Sequence, residues 1–523
     1  MRLERSSRVA CLLLLVGACR EVAELEPSSA PVALGGDAQR GAELFARHCT
    51  ACHGSSGEAD GIAAPLLYPA PRAFSSGRFL IASTSNGVPT DSDLVATLAR
   101  GMPGSSMPAW HWLGEPALRD LAAHVRELAR RGLALRLARE ALERGEALDA
   151  TEIESRARAA VTPGEPVRLP RRIDVNASTI ARGRALFRAN CETCHGAGGT
   201  GRGDEVLFNE DGGLNWARDF TAGILKGGSS FEALAARIQV GLPGTSMPVF
   251  SLPPSDVAAL ATFTASLIPA DSERRLVHRH ETLQVPRTQS ALPDDARSAA
   301  WGDARELEVV LAPVVWHAAA VLGAKVAAVH DGQRIAIRLR WRDATRDDVT
   351  TNESELRDAA ALAFSNEDAP PLFGMGAHDQ PVNLWHWKAE RMIDAKGMLD
   401  LVRKLPHTWI DPVFGESRLD VGPVYLPAPS SSVAAGRPLE LSAETFAAIR
   451  ELESEGKALA CAARYDDGEW AVVFTRSLEP RVEREVTLRP GAPALVALAI
   501  WDGSGGDRGG CKSTSIWQKI ALE

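Results

Sequence analysis

The chain has 523 residues, 45% of them hydrophobic and 24% charged, with a formal net charge of −9. That composition excludes a disordered or collagen-like chain, and the length allows about three or four domains at ~150 residues each. The acidic balance argues against non-specific binding of nucleic acid. At the N-terminus, Arg2, Arg5 and Arg8 precede the apolar run Val9–Val16, the pattern of an export signal. The run is too short to span a bilayer. Val16-Gly-Ala-Cys19 then has the form of a bacterial lipobox, so residues 1–19 read as a lipoprotein signal. Cys19 would carry a lipid anchor that holds the protein to a bacterial membrane on the periplasmic side.

The next chemical feature is Cys49-Thr-Ala-Cys52-His53, which recurs as Cys191-Glu-Thr-Cys194-His195. This spacing attaches a c-type haem. The two thiols add across the vinyl groups, and the adjacent histidine becomes the proximal iron ligand. Random order of 8 Cys and 12 His in 523 residues would give roughly 0.003 such motifs, so two copies are no accident. Each copy belongs to a longer repeat. Gly41-Ala-Glu-Leu-Phe-Ala-Arg-His-Cys49 parallels Gly183-Arg-Ala-Leu-Phe-Arg-Ala-Asn-Cys191, which predicts an amphipathic helix delivering both thiols and the histidine. Further on, Gly101-Met-Pro-Gly-Ser-Ser-Met107-Pro parallels Gly241-Leu-Pro-Gly-Thr-Ser-Met247-Pro. Each unit closes on another helical pattern, near Glu115–Arg131 and Pro254–Leu267.

The repeat also selects the sixth iron ligand. Met102 aligns with Leu242, whereas Met107 aligns with Met247. His195 is the only histidine between Val175 and Ala270, which leaves Met247 as the one good soft donor of the second unit. Met107 is preferred in the first, where Met102 and His111 lie nearby. An occupied sixth position favours electron transfer; an open one permits peroxide chemistry. The paired Met-Pro loops therefore favour a carrier over the rival reading, a dihaem peroxidase.

Leu133–Ala160, rich in Ala, Arg, Glu and Leu, reads as a solvated helix with Arg139 and Glu143 one turn apart. Asp271–Ser298 is polar, carries prolines and reads as a linker. Nine of the 12 tryptophans lie at or after Trp301, where the pattern changes to strands. Ala327–Trp341 predicts a hairpin turning at Asp331-Gly332, with Ile335, Ile337, Leu339 and Trp341 on one buried face. Ala458–Phe474 predicts a second, turning at Asp466-Asp467-Gly468. Val309–Val329 contains Pro313, His317 and Lys325, so it reads as buried strands and not as a membrane span. Pro381–Lys388, with Trp385, His386 and Trp387, reads either as a core strand or as the lining of a third cofactor pocket. Cys461 and Cys511 remain outside the haem motifs and the signal, and a disulfide between them would persist in an oxidising compartment.

The two halves of the repeat, Gly35–Arg131 and Asn176–Ala270, resemble class I cytochromes c. That resemblance implies His/Met ligation and reversible one-electron transfer. From Trp301 onward, Leu339-Arg-Trp-Arg-Asp-Ala-Thr345, Leu372-Phe-Gly-Met-Gly376, Val382-Asn-Leu-Trp-His-Trp-Lys388, Asp467–Phe474, Trp501-Asp-Gly503 and Lys512-Ser-Thr-Ser-Ile-Trp517 together look like another family. It is the haem b γ subunit of ethylbenzene dehydrogenase, dimethyl sulfide dehydrogenase and the selenate and chlorate reductases. The resemblance implies a β-sandwich that holds haem b between a methionine and a lysine, here Met375 and Lys512, with Met392, Met398, His378 and His386 as alternative donors. It also implies a molybdenum oxidoreductase as partner.

The expected protein is multidomain: a signal (1–19), an all-α cytochrome c domain (35–132), a helical linker (133–175), a second all-α cytochrome c domain (176–270), a linker (271–300) and a mainly β sandwich (301–523). Its cofactors would be two haems c and one haem b. The second rival reading makes the β domain a binding module without haem.

Overall fold

The computed structural model describes residues 35–146, 149–210, 212–348, 356–368, 370, 375–377, 380–389, 438–445, 448–452, 459–492 and 494–523. The signal with Cys11 and Cys19, the segment Leu372–Gly374, and the donors His378, Met392 and Met398 lie outside them. Among the described residues, no helix is long and apolar enough to cross a membrane.

The first helical unit begins with α1 (Ala38–His48), capped by the Asp37 carboxylate, and the one-turn helix α2 (Thr50–His53). It continues through α3 (Asp91–Arg100), with a Thr90/Asp93 capping box, to α4 (Glu115–Arg144). The repeat sets the geometry of this unit. Gly41 lies where α1 crosses α4, so close that a Cβ would sit 2.0 Å from the Asp120 carbonyl oxygen. Phe45, one turn on, is buried in a core with Phe74, Leu94, Trp110, Leu121 and Leu128.

The segment expected to be a solvated helix behaves differently. α4 runs without a break to Arg144, and α5 (Ala150–Ala160) folds back on it, so Leu133, Ala138, Ala141, Ile153 and Ala157 are all buried. The buried Arg126 guanidinium fastens this return by donating to the carbonyls of Val161 and Pro89, both at 2.7 Å. Intrahelical ion pairs join Arg136 and Arg144 to Glu140, rather than Arg139 to Glu143. The alanines that looked like a charged rod's filler are the small side chains that let two helices pack.

The second unit repeats the plan with α6 (Ala177–Asn190), α7 (Glu192–His195), a hairpin of β1 (Leu207–Phe208) and β2 (Leu214–Asn215), α8 (Phe231–Val240) and α9 (Pro254–Leu267). Gly183 makes the same close crossing, its missing Cβ 2.3 Å from the Ala259 carbonyl oxygen.

The stretch read as a linker is partly structured. It holds α10 (Ser272–Leu276) and β3 (Thr282–Val285), which pairs in parallel with β16 (Gln518–Leu522) at the chain's end. Leu283 and Val285 point into the β core, and that alternation was too short to stand out among the surrounding polar residues.

The rest is two sheets. One has five strands in the order β12 (Leu459–Asp466), β13 (Glu469–Ser477), β7 (Arg334–Arg342), β6 (Gly323–His330), β4 (Leu307–Val310). The other runs β11 (Ala448–Glu451), β10 (Leu439–Thr445), β9 (Val382–Lys388), β8 (Ala359–Ser365), β14 (Ala494–Trp501), β15 (Ser513–Thr514), β5 (Ala312–Pro313), with β16 also on β14. Both predicted hairpins form, and Asp467 and Gly468 each take the positive φ that a tight two-residue turn needs. Ile337, Leu339 and Trp341 face Phe474, Val472 and Trp470 across the β7–β13 ladder. These residues and the inner faces of β8, β9 and β14 share one core, which makes the domain a sandwich.

Trp385 and Trp387 belong to that core, at 0% and 2% exposure, so they do not line a cofactor pocket; the core-strand reading of Pro381–Lys388 is the one that holds. Cys461 and Cys511 are thiols rather than a disulfide; Cys461 is on β12 and Cys511 on the connection between β14 and β15.

Candidate haem-binding sites

At the first site, α1 ends on Cys49, whose N–H bonds the Phe45 carbonyl, and α2 carries Cys52 and His53. His53 Nδ1 lies 3.1 Å from the Arg72 carbonyl oxygen. A carbonyl only accepts, so Nδ1 holds the proton and Nε2 keeps its lone pair for a metal. The ring stacks on Phe74, with centroids 4.8 Å apart at 18°. Burial lowers the His53 pKa, which keeps the imidazole in the neutral form that binds iron.

The second site repeats each contact. His195 Nδ1 lies 3.1 Å from the Arg218 carbonyl, its ring stacks on Phe220 at 4.7 Å, and burial lowers its pKa as well. Arg72, Phe74, Arg218 and Phe220 were not singled out from the sequence. The signal was there: Arg72-Ala-Phe74 and Arg218-Asp-Phe220 follow the two histidines at 19 and 23 residues.

The methionine loops match in the same way. The Met107 carbonyl accepts from the Met102 N–H at 3.0 Å, and the Met247 carbonyl accepts from the Leu242 N–H at 3.2 Å. The Ser105 and Thr245 hydroxyls donate back to Met102 and Leu242 and accept from the Met107 and Met247 N–H groups. Met102 and Leu242 therefore share one role, in the loop backbone, and Met107 and Met247 share the other.

The two units also meet reciprocally. A Cβ on Gly104, in the first methionine loop, would lie 2.9 Å from Arg218 Nη1; one on Gly244, in the second, would lie 2.8 Å from Arg72 Nη1. The arginine that holds each histidine thus reaches the other unit's methionine loop. Lys226 sits beside both arginines; burial first, then their charges, push its pKa well down. Burial pushes Arg218 down to about 10. Arg100 locks the junction, donating to Glu273 at 2.9 and 3.0 Å and to the Leu225 and Lys226 carbonyls at 2.5 Å.

The third site is on the outer face of the nine-stranded sheet. Ala363, Val382, Leu384, Ala443, Ala497 and Trp517 form an apolar cluster there, separate from the sandwich core, and Met375 packs on it. Lys512 Nζ lies 3.5 Å from Met375 Sδ, and both residues are 7% exposed. The ammonium also lies over the Trp501 ring, 4.9 Å from its centroid. Burial pushes the Lys512 pKa down to about 8. A buried lysine beside a thioether, with small alanines on the sheet beneath, is a donor pair suited to a flat metal complex. His386, an alternative donor from the sequence, packs edge-on against Trp501.

Lys512 is tied to the first helical unit through the backbone. Its carbonyl accepts from the Val314 N–H at 2.8 Å, and the Val314 carbonyl accepts from the Tyr68 N–H at 2.9 Å. The Ser106 hydroxyl, next to Met107, donates to the Pro313 carbonyl at 3.0 Å.

Two helical units built around Cys-x-x-Cys-His, followed by a sandwich with a buried Met/Lys pair, define a haem protein of the electron-transfer class. Family comparison agrees: the cytochrome c model matches residues 38–129 and 180–267, and the ethylbenzene dehydrogenase model matches 298–419 and 441–513. The chain belongs to these families, as two cytochrome c domains joined to an ethylbenzene dehydrogenase-type domain. More particularly, it is homologous to the γ subunits of dimethylsulfide dehydrogenase and chlorate reductase. It is 28% identical over 280 residues to the dimethylsulfide dehydrogenase subunit gamma of Rhodovulum sulfidophilum, covering 50% of this chain and 89% of that protein. It is 26% identical over 194 residues to the chlorate reductase subunit gamma of Ideonella dechloratans, covering 36% and 62%. It is likewise 26% identical over 194 residues to a protein assigned as a respiratory nitrate reductase heme subunit in Haloferax mediterranei, covering 37% and 53%. The chain thus spans between about half and nine-tenths of the length of these relatives.

Proposed function

We propose that the protein is an exported, lipid-anchored relay with two haems c and one haem b, passing electrons between a molybdenum oxidoreductase and a further carrier. Cys49 and Cys52 would hold the first haem c, with His53 and Met107 on its iron. Cys191 and Cys194 would hold the second, with His195 and Met247. Met375 and Lys512 would hold the haem b. Bound in these places, the haems would supply reversible one-electron change at iron, and the thioether donors Met107, Met247 and Met375 would favour Fe(II).

The protein's own part is to hold the donors ready. The Arg72 and Arg218 carbonyls fix the tautomer and ring plane of His53 and His195. Arg72 and Arg218 supply positive charge, between the two cytochrome units, suited to haem carboxylates. The apolar face around Met375 excludes water and favours the neutral amine of Lys512.

One observation carries the reading: Lys512 Nζ and Met375 Sδ converge at 3.5 Å inside an apolar cluster, although 137 residues separate them in the chain. Lys512 is also bonded through Val314 to the first cytochrome unit, and that unit interlocks with the second. These contacts support the order haem b, first haem c, second haem c.

Pyridine haemochrome spectra of the purified protein test it. Two c haems and one b haem per chain are expected, and Lys512→Leu should lose the b signal while both c signals stay. A chain with no b haem, or a Lys512→Leu variant that keeps it in full, would overturn the third centre.

A further inference from the structure

Four carboxylates meet where the two sheets come together at one end of the sandwich. Asp343 follows β7 of the five-stranded sheet, Asp358 precedes β8, and Asp502 follows β14, both of the nine-stranded sheet. Asp347 lies on the connection between β7 and β8. One oxygen from each can be taken so that all four lie within 4.8 Å of one another. Asp343, Asp358 and Asp502 are 5%, 0% and 6% exposed.

Hydrogen bonds meet only part of this charge. Asp358 accepts from the Asp347 and Gly503 N–H groups at 2.7 and 3.0 Å and from the Trp470 indole at 2.8 Å. Asp502 accepts from the Ser504 hydroxyl and the Gly505 N–H, both at 2.8 Å. Asp347 accepts from the Thr345 hydroxyl and the Ser504 N–H. Asp343 Oδ1 accepts from the Thr345 N–H, but its Oδ2 is buried and accepts no hydrogen bond. A buried carboxylate oxygen without a donor is costly, and three carboxylates beside it raise the cost. The neighbouring Arg346 is engaged with Asp348 at 2.5 Å.

We infer that Asp343, Asp347, Asp358 and Asp502 form a calcium site that clasps the two sheets. The donors are all hard oxygens, with no imidazole or thiolate, which disfavours zinc and copper. Calcium takes its oxygens at ~2.3–2.6 Å, so its ligands can stand about 5 Å apart, whereas magnesium at ~2.0–2.1 Å spans about 4 Å and keeps several waters. The Asp343 oxygen that has no donor is then a ligand oxygen.

The site has a second consequence. Asp502 opens the loop that leads to Lys512, and the loop is pinned by bonds from Gly503 to Asp358 and from Ser504 to Asp347. A cation here would hold the start of the segment that presents the lysine.

The test uses full-length, haem-loaded protein stripped with a chelator and titrated with calcium chloride in a calorimeter, with magnesium chloride as comparison. One calcium per chain is expected, with a higher unfolding temperature in calcium than in magnesium. Asp347→Asn, at a half-exposed position, should fold and bind calcium at least about tenfold more weakly. Asp343→Asn should be less stable than the parent in calcium but as stable or more so in chelator, because it removes one repelling charge. No saturable calcium binding by the parent protein, or parent-like affinity in both variants, would overturn the site. Haem content enters none of these readouts, so the calcium site and the three-haem reading fail separately.

Discussion

Replacing Gly41 or Gly183 by alanine tests the helix crossing on which each cytochrome unit rests. At Gly41 the new Cβ would lie 2.0 Å from the Asp120 carbonyl oxygen and 2.9 Å from His124 Cβ; at Gly183 it would lie 2.3 Å from the Ala259 carbonyl oxygen and 2.5 Å from Phe263 Cβ. Ordinary contact starts at 3.4 Å, so the helices must part by about 1 Å, against a tightly packed interior that resists such shifts. The nearest obstacle is helix backbone in both cases, not the end of a flexible side chain, which puts the overpacking cost near the top of the usual range, about 3 kcal/mol. Alanine returns about 1 kcal/mol through its better helix propensity. The net loss is about 2 kcal/mol, or roughly 8–16 °C in Tm for a domain of this size class. Thermal unfolding of the holoprotein, followed by circular dichroism and by the Soret band, measures it. Gly323→Ala is the control: its Cβ would meet only the Val309 carbonyl oxygen at 3.6 Å, and it should stay within about 0.5 kcal/mol. If both helix variants melt with the parent protein, the helices do not cross at these glycines and the shared plan of the units is wrong.

Met247→Ala and Met107→Ala should each lower the midpoint of one c haem and leave the other c haem unmoved; a redox titration in which neither midpoint moves would refute the assigned methionines. The His317–Asp507 pair should make stability depend on pH. His317 Nε2 lies 3.0 Å from Asp507 Oδ1, and that hydrogen bond, opposed by burial, raises the His317 pKa above 6.5. A raised histidine contributes fully below its unfolded pKa and loses its contribution as pH climbs through the folded value. His317→Gln should therefore cost most below pH 6.5, about 1–2 kcal/mol, with the difference from the parent shrinking as pH rises past neutrality. A penalty that does not change with pH would show that the imidazole is uncharged in the fold.

The helical half was legible because its chemistry and its packing were written twice. Comparing the copies separated Met107 from Met102, and the hydrogen-bond patterns of the two loops match position by position: Met102 pairs with Leu242, and Met107 with Met247. The same comparison, carried past the histidines, would have found Arg72 and Arg218. It could not have found that their side chains cross between the units, because that depends on how two separately folded cores meet. In the sandwich, alternation located the hairpins and the buried face of β7. It could not tell the inner face of β9 from the outer one, since Trp385 and Trp387 looked as fit for a pocket as for a core. The outer face is marked instead by small residues, Ala363, Ala443 and Ala497, and small residues carry little weight in any pattern of hydrophobicity. β3 was missed because its partner, β16, is more than 230 residues away.

The order of the proposed centres follows from which contacts are reciprocal and which are not. The two cytochrome units exchange equivalent arginines, so neither is marked as inlet or outlet by their own junction. The asymmetry comes from the sandwich. Its Pro313–Val314 segment touches Lys512 on one side and Ser106 and Tyr68 of the first unit on the other. The segment after the second unit meets the sandwich at a different place, through Arg274 of α10 and Glu308 at 3.9 Å, remote in sequence from Lys512 and Met375. A centre at Lys512 therefore has its short packed path to the methionine loop of the first unit, and from there through the interlocked loops to the second. The proposed relay would therefore have the first cytochrome unit as its middle: that unit is bonded to the lysine segment through Val314 and interlocks with the other methionine loop through Arg72.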